Sequence, residues 1–365
     1  MTTPIIDLPY FPRPDLTDQV EKVVSSGLSG AITLFAKRRK GKTTWVRNEL
    51  LPWAESQRWE TVYIDLWSDR EHPEEALIAG LTAAARRSLL SKLKSVKVSG
   101  KVHGIEIGAE MDGPAAASEA ARQETRAKRL TESFDALMRK KRSVFVAIDE
   151  FQTLAGKGRE NFVAAFRALL QKYAKTLFVI YTGSSQEMLQ AMFRSQRAPL
   201  LDSAYAMELP NLGAAFVRDR TVFCNARSKV RIKQADLADV FKDVDYSPEA
   251  LNQIVLRVIV RGDGNLIEAL RDWRQAVSAA LKPAVWDQLE RIPRVLLLRM
   301  AKNNQTTGFT NAQTRAELGH VSPTAVQAAL RLLERHELIH PTGLRGRYEI
   351  SDPAVREFVK AQVTA

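Results

Sequence analysis

The side chains best able to do chemistry in this 365-residue chain fall in two short stretches. The first is "LFAKRRKGKTTW", residues 34–45, where Lys37, Arg38, Arg39, Lys40 and Lys42 surround Gly41 and lead into the hydroxyls of Thr43 and Thr44. So many cations in one loop suit a basic patch for nucleic acid as well as a loop that holds phosphates, and charge alone does not separate the two. The second stretch is "SVFVAIDEFQ", in which an apolar run passes straight into Asp149 and Glu150. Adjacent carboxylates at a strand end can hold a divalent cation and activate a water.

The spacing favours the phosphate reading. From Ala36 to Thr43 the loop follows the Walker A pattern G-x-x-x-x-G-K-[ST], with Ala36 in place of the first glycine. Alanine serves there if its φ stays negative. At Gly41 the absent side chain lets backbone N–H groups close on phosphate oxygens at a helix N-terminus, whose dipole favours anions. Lys42 would reach the β- and γ-phosphates of ATP, and Thr43 would place its hydroxyl on Mg²⁺. "SVFVAIDEF" then reads as the Walker B strand: Asp149 holds Mg²⁺, directly or through water, and Glu150 orients the attacking water.

These residues need strands before them and helices after. "GAITLFA" is short, apolar and bounded by glycine, so it reads as a buried strand; "KTTWVRNELLPWAESQ" follows as a helix with a kink or break at Pro52. "WETVYIDLW", "SVFVAIDEF", "TLFVIYTGSS" and "AYAMELPNL" are further strands, separated by the helical patterns "PEEALIAGLTAAARRSLLSKL", "TRAKRLTESFDALMRKK" and "NFVAAFRALLQKYA". Strand–helix alternation predicts an α/β fold with a doubly wound parallel sheet, the frame in which ligands lie at the carboxyl ends of the strands. "KSVKVSGKVHGIEIGAEM" alternates polar and apolar residues and predicts a hairpin insertion at 94–111 carrying Lys94, Lys97 and Lys101. Over residues 213–285 only helices are expected. The organisation read from this is a P-loop domain at 1–212, an all-α lid at 213–285 and a third domain at 286–365.

Composition narrows the partners. A formal charge of +12 favours an anionic partner such as nucleic acid, nucleotide or acidic lipid. The single cysteine, Cys224, excludes an internal disulfide framework and a Cys-rich zinc site. No apolar run is long enough for a membrane span, and the start has no basic region followed by an apolar one, so a cytoplasmic protein with no membrane partner is expected.

With these motifs in place the chain resembles the AAA+ ATPases, and within them the archaeal-ATPase and STAND-like branch near the origin-recognition ATPases. "LFAKRRKGKTT" is similar to that branch's G-x-R-R-x-G-K-T loop, "YTGSSQEML" to its strand-then-GSS segment, and "YFPRPDLTDQVEKV" to its N-terminal F-x-G-R-x-x-E-L box, with the glycine missing. The resemblance covers roughly residues 8–280. It implies that Thr182 contacts the γ-phosphate or the attacking water, that Arg13 and nearby apolar residues line the adenine pocket, and that Arg261, in "VRGDGNLIEAL", acts as a lid sensor. It also implies an arginine finger acting on a neighbour's ATP, at Arg197 rather than Arg194, and hence a homo-oligomer when ATP is bound.

The C-terminal region reads as helices "VLLLRMAKNN", "TNAQTRAELG" with Thr310 as N-cap, and "PTAVQAALRLLER" capped by Ser322, followed by a hairpin around "GLRG". Helices joined by a short glycine-containing turn, with a hairpin, make a winged helix. Its second helix would bring Ser322, Thr324 and Gln327 near the base edges of double-stranded DNA, with Arg345 and Arg347 in the wing. The expectation is an ATP-hydrolysing, Mg²⁺-dependent switch that binds DNA; the alternative is a STAND-type signalling ATPase whose C-terminal module binds a protein partner.

Overall fold

The computed structural model of the protein describes residues 8–27, 29–36, 39–95, 119–139, 142–155, 158–183, 189, 192–193, 198, 200–280, 283–303, 305–336, 338–341, 346–351 and 353–362. The hairpin expected at 94–111 lies outside them, except that residues 94 and 95 end a helix instead of opening a strand.

The apolar runs form one parallel sheet in the order β2-β3-β4-β1-β5. Its inner strands, β1 (Ala31–Phe35), β3 (Val144–Asp149) and β4 (Leu177–Gly183), are buried at every residue; β2 (Glu60–Asp65) and β5 (Tyr205–Glu208) form the edges. That is why the inner strands read as unbroken hydrophobic runs while the edge strands carry polar residues: helices cover both faces.

The two-residue period of a strand then deals its side chains to two cores. Ala31, Phe35, Val146, Ile148, Val179 and Tyr181 face α4 (Pro73–Ser95), α5 (Glu119–Met138) and α6 (Glu160–Lys172). Ile32, Leu34, Phe145, Ala147, Phe178 and Ile180 face α1 (Pro14–Ser26) and the helical run after the phosphate loop. That run does not break at Pro52. It starts as α2 (Lys42–Trp45), widens into a π-helical stretch (Val46–Leu50) and continues as α3 (Leu51–Ser56). Proline has no N–H to donate and its ring crowds the preceding turn, so the wider turn ahead of Pro52 accommodates it without ending the helix.

After β5 the chain is helical: α7 (Ala214–Asn225), α8 (Gln234–Asp243), α9 (Pro248–Arg261) and α10 (Leu266–Ala280). Phe216, Phe241, Leu251, Ile254, Val258 and Trp273 give these helices a core of their own, onto which Leu8, Phe11 and Leu212 also pack. The last part holds α11 (Pro283–Gln288), α12 (Arg291–Asn303), α13 (Ala312–Glu317), α14 (Pro323–Arg335), the antiparallel pair β6 (Ile339–Pro341) and β7 (Tyr348–Ile350), and α15 (Pro353–Ala361). Leu296, Leu297, Val326, Leu330 and Phe358 centre its core. α15 packs along α10, where Arg274 Nε lies 3.0 Å from the Glu357 carboxylate.

Ser322 caps α14, its Oγ accepting from Ala325 N at 3.1 Å. Thr310 does not cap α13. Asn311 takes that position, with Oδ1 accepting from Thr314 N at 2.7 Å. Asparagine caps at least as well as threonine, and here it is one residue nearer the helix. Among the described residues no helix is long and apolar enough to cross a membrane.

Candidate active site

Because every strand of the sheet is parallel, the carboxyl ends of β1, β2, β3 and β4 share one edge. The register pairs Asp65 with Asp149, Ile148 with Tyr181, and Leu34 with Thr182. β1 delivers the phosphate loop to that edge, β3 delivers Asp149 and Glu150, and β4 delivers Thr182.

In the loop, Ala36 keeps a φ that any residue can adopt, and the left-handed positions are Arg39 (φ 60°) and Gly41 (φ 89°, ψ 22°). A Cβ added at Gly41 would meet only Arg13 Nη2 at 3.8 Å, so conformation rather than space requires glycine there. Lys42 is buried, and its Nζ donates to the Ala36 carbonyl at 2.8 Å. Trp45 anchors the start of the helix, its Nε1 donating to Thr17 Oγ1 at 3.1 Å.

Asp149, 5% exposed, is the centre of the site. Its Oδ2 accepts from Thr43 Oγ1 at 2.5 Å and from the Tyr63 hydroxyl at 2.9 Å; its Oδ1 accepts from Thr182 Oγ1 and from Glu150 N. Charge-assisted bonds of this kind are among the strong ones in proteins. Burial, and then the neighbouring Asp149, push the Tyr63 phenol well above its ordinary pKa, so it stays a donor. Hydroxyls from three separate elements thus converge on one carboxylate. A set of carboxylate and hydroxyl oxygens suits a hard cation such as Mg²⁺, which is usually completed by water and phosphate oxygens. Among the described residues there is no cluster of three or more His, Cys, Asp or Glu that could hold a metal without such outside ligands.

Glu150 takes a left-handed conformation, φ 56° and ψ 38°. For a non-glycine residue this costs of order 1 kcal/mol and marks functional sites often enough to notice. Gln152 Nε2 donates to Glu150 Oε2 at 2.5 Å and so fixes its carboxylate.

A cleft of 820 Å³ runs from this point toward the helical region. It is lined by Gly41, Lys42, Thr43, Thr44 and Glu150 from the loop and the end of β3, and by Leu8, Phe11, Leu212, Phe216, Arg220 and Asn252 from the N-terminal segment and the helical region. Arg13 bridges the two, donating to the Lys40 carbonyl at 2.9 Å and the Pro210 carbonyl at 2.6 Å. Its backbone N–H and the Tyr10 hydroxyl both donate to Glu49. Burial lowers the Arg13 pKa, and Tyr10 and Glu49 oppose that shift.

The structure separates other residues that the sequence grouped. Lys40 turns away from the loop's mouth: its buried Nζ bonds the Asp245 carbonyl, lies 3.6 Å from the Asp245 carboxylate and 5.8 Å from the Tyr246 ring centre. Arg39 reaches Glu249 at 3.8 Å. Both therefore tie the loop to the helical region. Arg261 is not brought to the cleft: Asp263 holds it at 2.9 Å and Asp272 at 2.8 Å on the surface. Ser322, Thr324 and Gln327 are exposed at the start of α14, whereas Arg347 is half-buried with Nε donating to Thr306 Oγ1 at 3.2 Å. Lys37, Arg38, Arg194, Arg197 and Arg345 lie outside the described residues. Sequence reasoning missed Tyr63, Gln152, Arg220 and Asn252, which look like ordinary strand or helix residues until the fold brings them to the cleft.

The parallel sheet of this order, with the phosphate loop after β1 and the carboxylates after β3, is a P-loop NTPase fold. In fold the chain is similar to the Walker-type ATPase of Pyrococcus abyssi, at TM-score 0.61 and 16% identity over 96% of each chain. It is also similar to the ORC2 protein of Aeropyrum pernix in its ADP form, at TM-score 0.50 and 14% identity over 98% of each. No family model and no curated protein matches the sequence.

Proposed function

We propose that the protein binds ATP with Mg²⁺ in this cleft and hydrolyses it to ADP and phosphate. The observation that carries the reading is the convergence of Thr43, Tyr63 and Thr182 on Asp149 beside a left-handed Gly41. The fold neighbours, a Walker-type ATPase and an ORC2 in its ADP form, support it.

In this reading Gly41, Lys42, Thr43 and Thr44 hold the phosphates. Lys42 gives up the Ala36 carbonyl for the β- and γ-phosphates. Thr43 and Asp149 would hold Mg²⁺, which neutralises charge developing on the phosphates when bound. Glu150 takes the proton of the attacking water as its oxygen bonds to phosphorus and the bond to ADP breaks. Thr182 orients Asp149 and would also meet that water. Lys42→Ala should abolish nucleotide binding, and Glu150→Gln should bind ATP and retain it unhydrolysed. Normal turnover by either variant would end the reading.

We further take the helical region at 213–285 as a lid and 286–365 as a winged helix that binds double-stranded DNA. Ser322, Thr324 and Gln327 would face bases, and Arg345 and Arg347 the phosphates or the minor groove. Closure on ATP between neighbouring copies, with Arg197 as the finger, would make the hydrolysing form an oligomer. The test is DNA affinity against salt. Each neutralised phosphate contributes a slope of about −0.9 in log K against log salt.

A second reading has an observation in its favour. The first turns of α14 are uncharged, Arg331 and Arg335 come late, and Arg347 is engaged with Thr306. A STAND-type switch whose C-terminal module binds a protein partner fits such a surface. It predicts little DNA binding at any salt.

A further inference from the structure

A second cavity, of 790 Å³, lies at the opposite edge of the sheet, where β2 and β3 begin and the end of α3 meets α4. The length of β2, about 16 Å at 3.3 Å per residue, separates it from the edge that carries Asp149. Arg58, Arg87 and Arg142 line it from three separate elements, and all three are exposed. Among the described residues none engages their guanidiniums. Elsewhere on these helices the charges are paired: Glu74 holds Arg159, and Glu75 holds Arg126 and Arg129. The start of α4 thus supplies carboxylates to the arginines near it, and its far end supplies none to Arg87.

Arg58 carries a second signal. α3 ends in a Schellman motif, with Trp59 N–H donating to the Ala54 carbonyl at 3.1 Å and Arg58 N–H to the Glu55 carbonyl at 2.9 Å. The position Arg58 occupies is left-handed, with φ 64°. Glycine is the usual residue there, because a Cβ is strained at that φ. The chain accepts the strain and sets a guanidinium on the cavity wall.

Glu55 and Glu60 line the cavity too, and Glu55 accepts from the Thr61 hydroxyl at 2.8 Å. Three guanidiniums against two carboxylates leave one positive charge on the lining. That balance suits a phosphodiester, which carries a single negative charge, better than a phosphate monoester, which carries up to about two. Guanidinium forks match phosphate oxygens in pairs. Half-buried Trp59, edge-on to Phe145 and Phe178, adds an aromatic wall, and carboxylates accept from the amino group of cytosine. A cavity of this size has room for about one or two nucleotides with their bases unpaired, which a duplex does not offer.

We propose that this cavity binds single-stranded nucleic acid, with Arg58, Arg87 and Arg142 on the backbone and Trp59, Glu55 and Glu60 around a base. The site is independent of the ATP reading and of the DNA contacts assigned to α14.

The experiment is fluorescence anisotropy of a short labelled oligodeoxycytidine on the full chain, titrated at several salt concentrations with and without inorganic triphosphate and Mg²⁺. Triphosphate should leave the Kd of wild type unchanged, since the phosphate loop is at the other edge. The triple variant Arg58→Gly, Arg87→Gln, Arg142→Gln should bind about a hundredfold more weakly. Its slope of log K against log salt should be shallower by about 2, at roughly 0.7 per phosphate contact on a single strand. Lys229→Gln, Arg231→Gln and Lys233→Gln together remove the same charge from exposed residues between α7 and α8 and should leave Kd within about threefold of wild type. Arg58→Gly alone should weaken binding about tenfold and raise the Tm by about 2 °C, a pairing that a purely structural role would not produce. An unchanged Kd in the triple variant, an equal loss in the charge-matched control, or displacement of the strand by triphosphate overturns the proposal. So does a loss of binding in Arg58→Gly that comes with a fall in Tm.

Discussion

Replacing Gly183 with alanine should cost catalysis while leaving nucleotide binding intact. Gly183 is the last residue of β4, directly after Thr182. A Cβ there would come within 2.3 Å of Gln152 Oε1, where ordinary contact begins at 3.4 Å. Gln152 must therefore retreat by roughly 1 Å, and displacements of that size in a positioning group can lower rates about a hundredfold. The retreat is cheap for the fold, because the obstructing atom is the end of a flexible side chain. It is expensive for Glu150, whose Oε2 is held by the amide nitrogen of that same group at 2.5 Å. Gly183→Ala should thus lower kcat by about a hundredfold and change the Kd for ATP by less than about threefold. Steady-state phosphate release and equilibrium titration with a fluorescent ATP analogue measure the two. A kcat within threefold of wild type, or a fall in binding that matches the fall in rate, would refute the argument that Gln152 positions Glu150.

Tyr63→Phe removes one of the hydroxyls on Asp149 and should destabilise the protein by about 1.5 kcal/mol, a drop of a few degrees in Tm, with the ATPase rate reduced but not lost. Because Tyr63 ionises above the ordinary phenol pKa of 10.0, the stability its bond supplies is fully present below pH 10.0 and is lost as pH rises through the higher folded value. Alkaline unfolding should therefore set in at lower stability, but not at a new pH below 10.0, in the variant. Burial pushes the Cys224 thiol up to about 11, so iodoacetamide at pH 8 should modify it at least a hundredfold more slowly in the folded chain than in denaturant; equal rates would place the thiol at the surface. Lys40→Met removes the contacts to Asp245 and Tyr246 and should speed proteolysis between residues 209 and 214 in the absence of nucleotide, which limited digestion followed by mass spectrometry would show.

Much of this site could be read along the chain because its residues are local to it. Gly41, Lys42 and Thr43 are consecutive, and Asp149 and Glu150 end an unmistakably apolar strand. Buried parallel strands announce themselves through hydrophobicity, and helices through period and caps. What stayed hidden depends on which strand lies beside which. Tyr63 alternates with core residues in an edge strand, and only the pairing of β2 with β3 turns its hydroxyl toward Asp149. Arg220 and Asn252 stand on helices far along the chain from the loop, and nothing in their spacing links them to it. Arg261 shows the opposite case. Its motif resembled a lid turn, but Asp263 and Asp272, both close in sequence, claim the guanidinium first. The cap at Asn311 rather than Thr310 is a choice between neighbouring residues of nearly equal capping strength, which packing settles.

The seam between α10 and α15 also makes the C-terminal module a pointer. α10 is fifteen residues long, or about 22 Å at 1.5 Å per residue, so each roughly 10° of tilt displaces its end by about 4 Å. Arg274 and Glu357 pin α15 along that helix. A tilt of α10 would therefore be carried through that seam into the core that Phe358 shares with Leu296 and Val326.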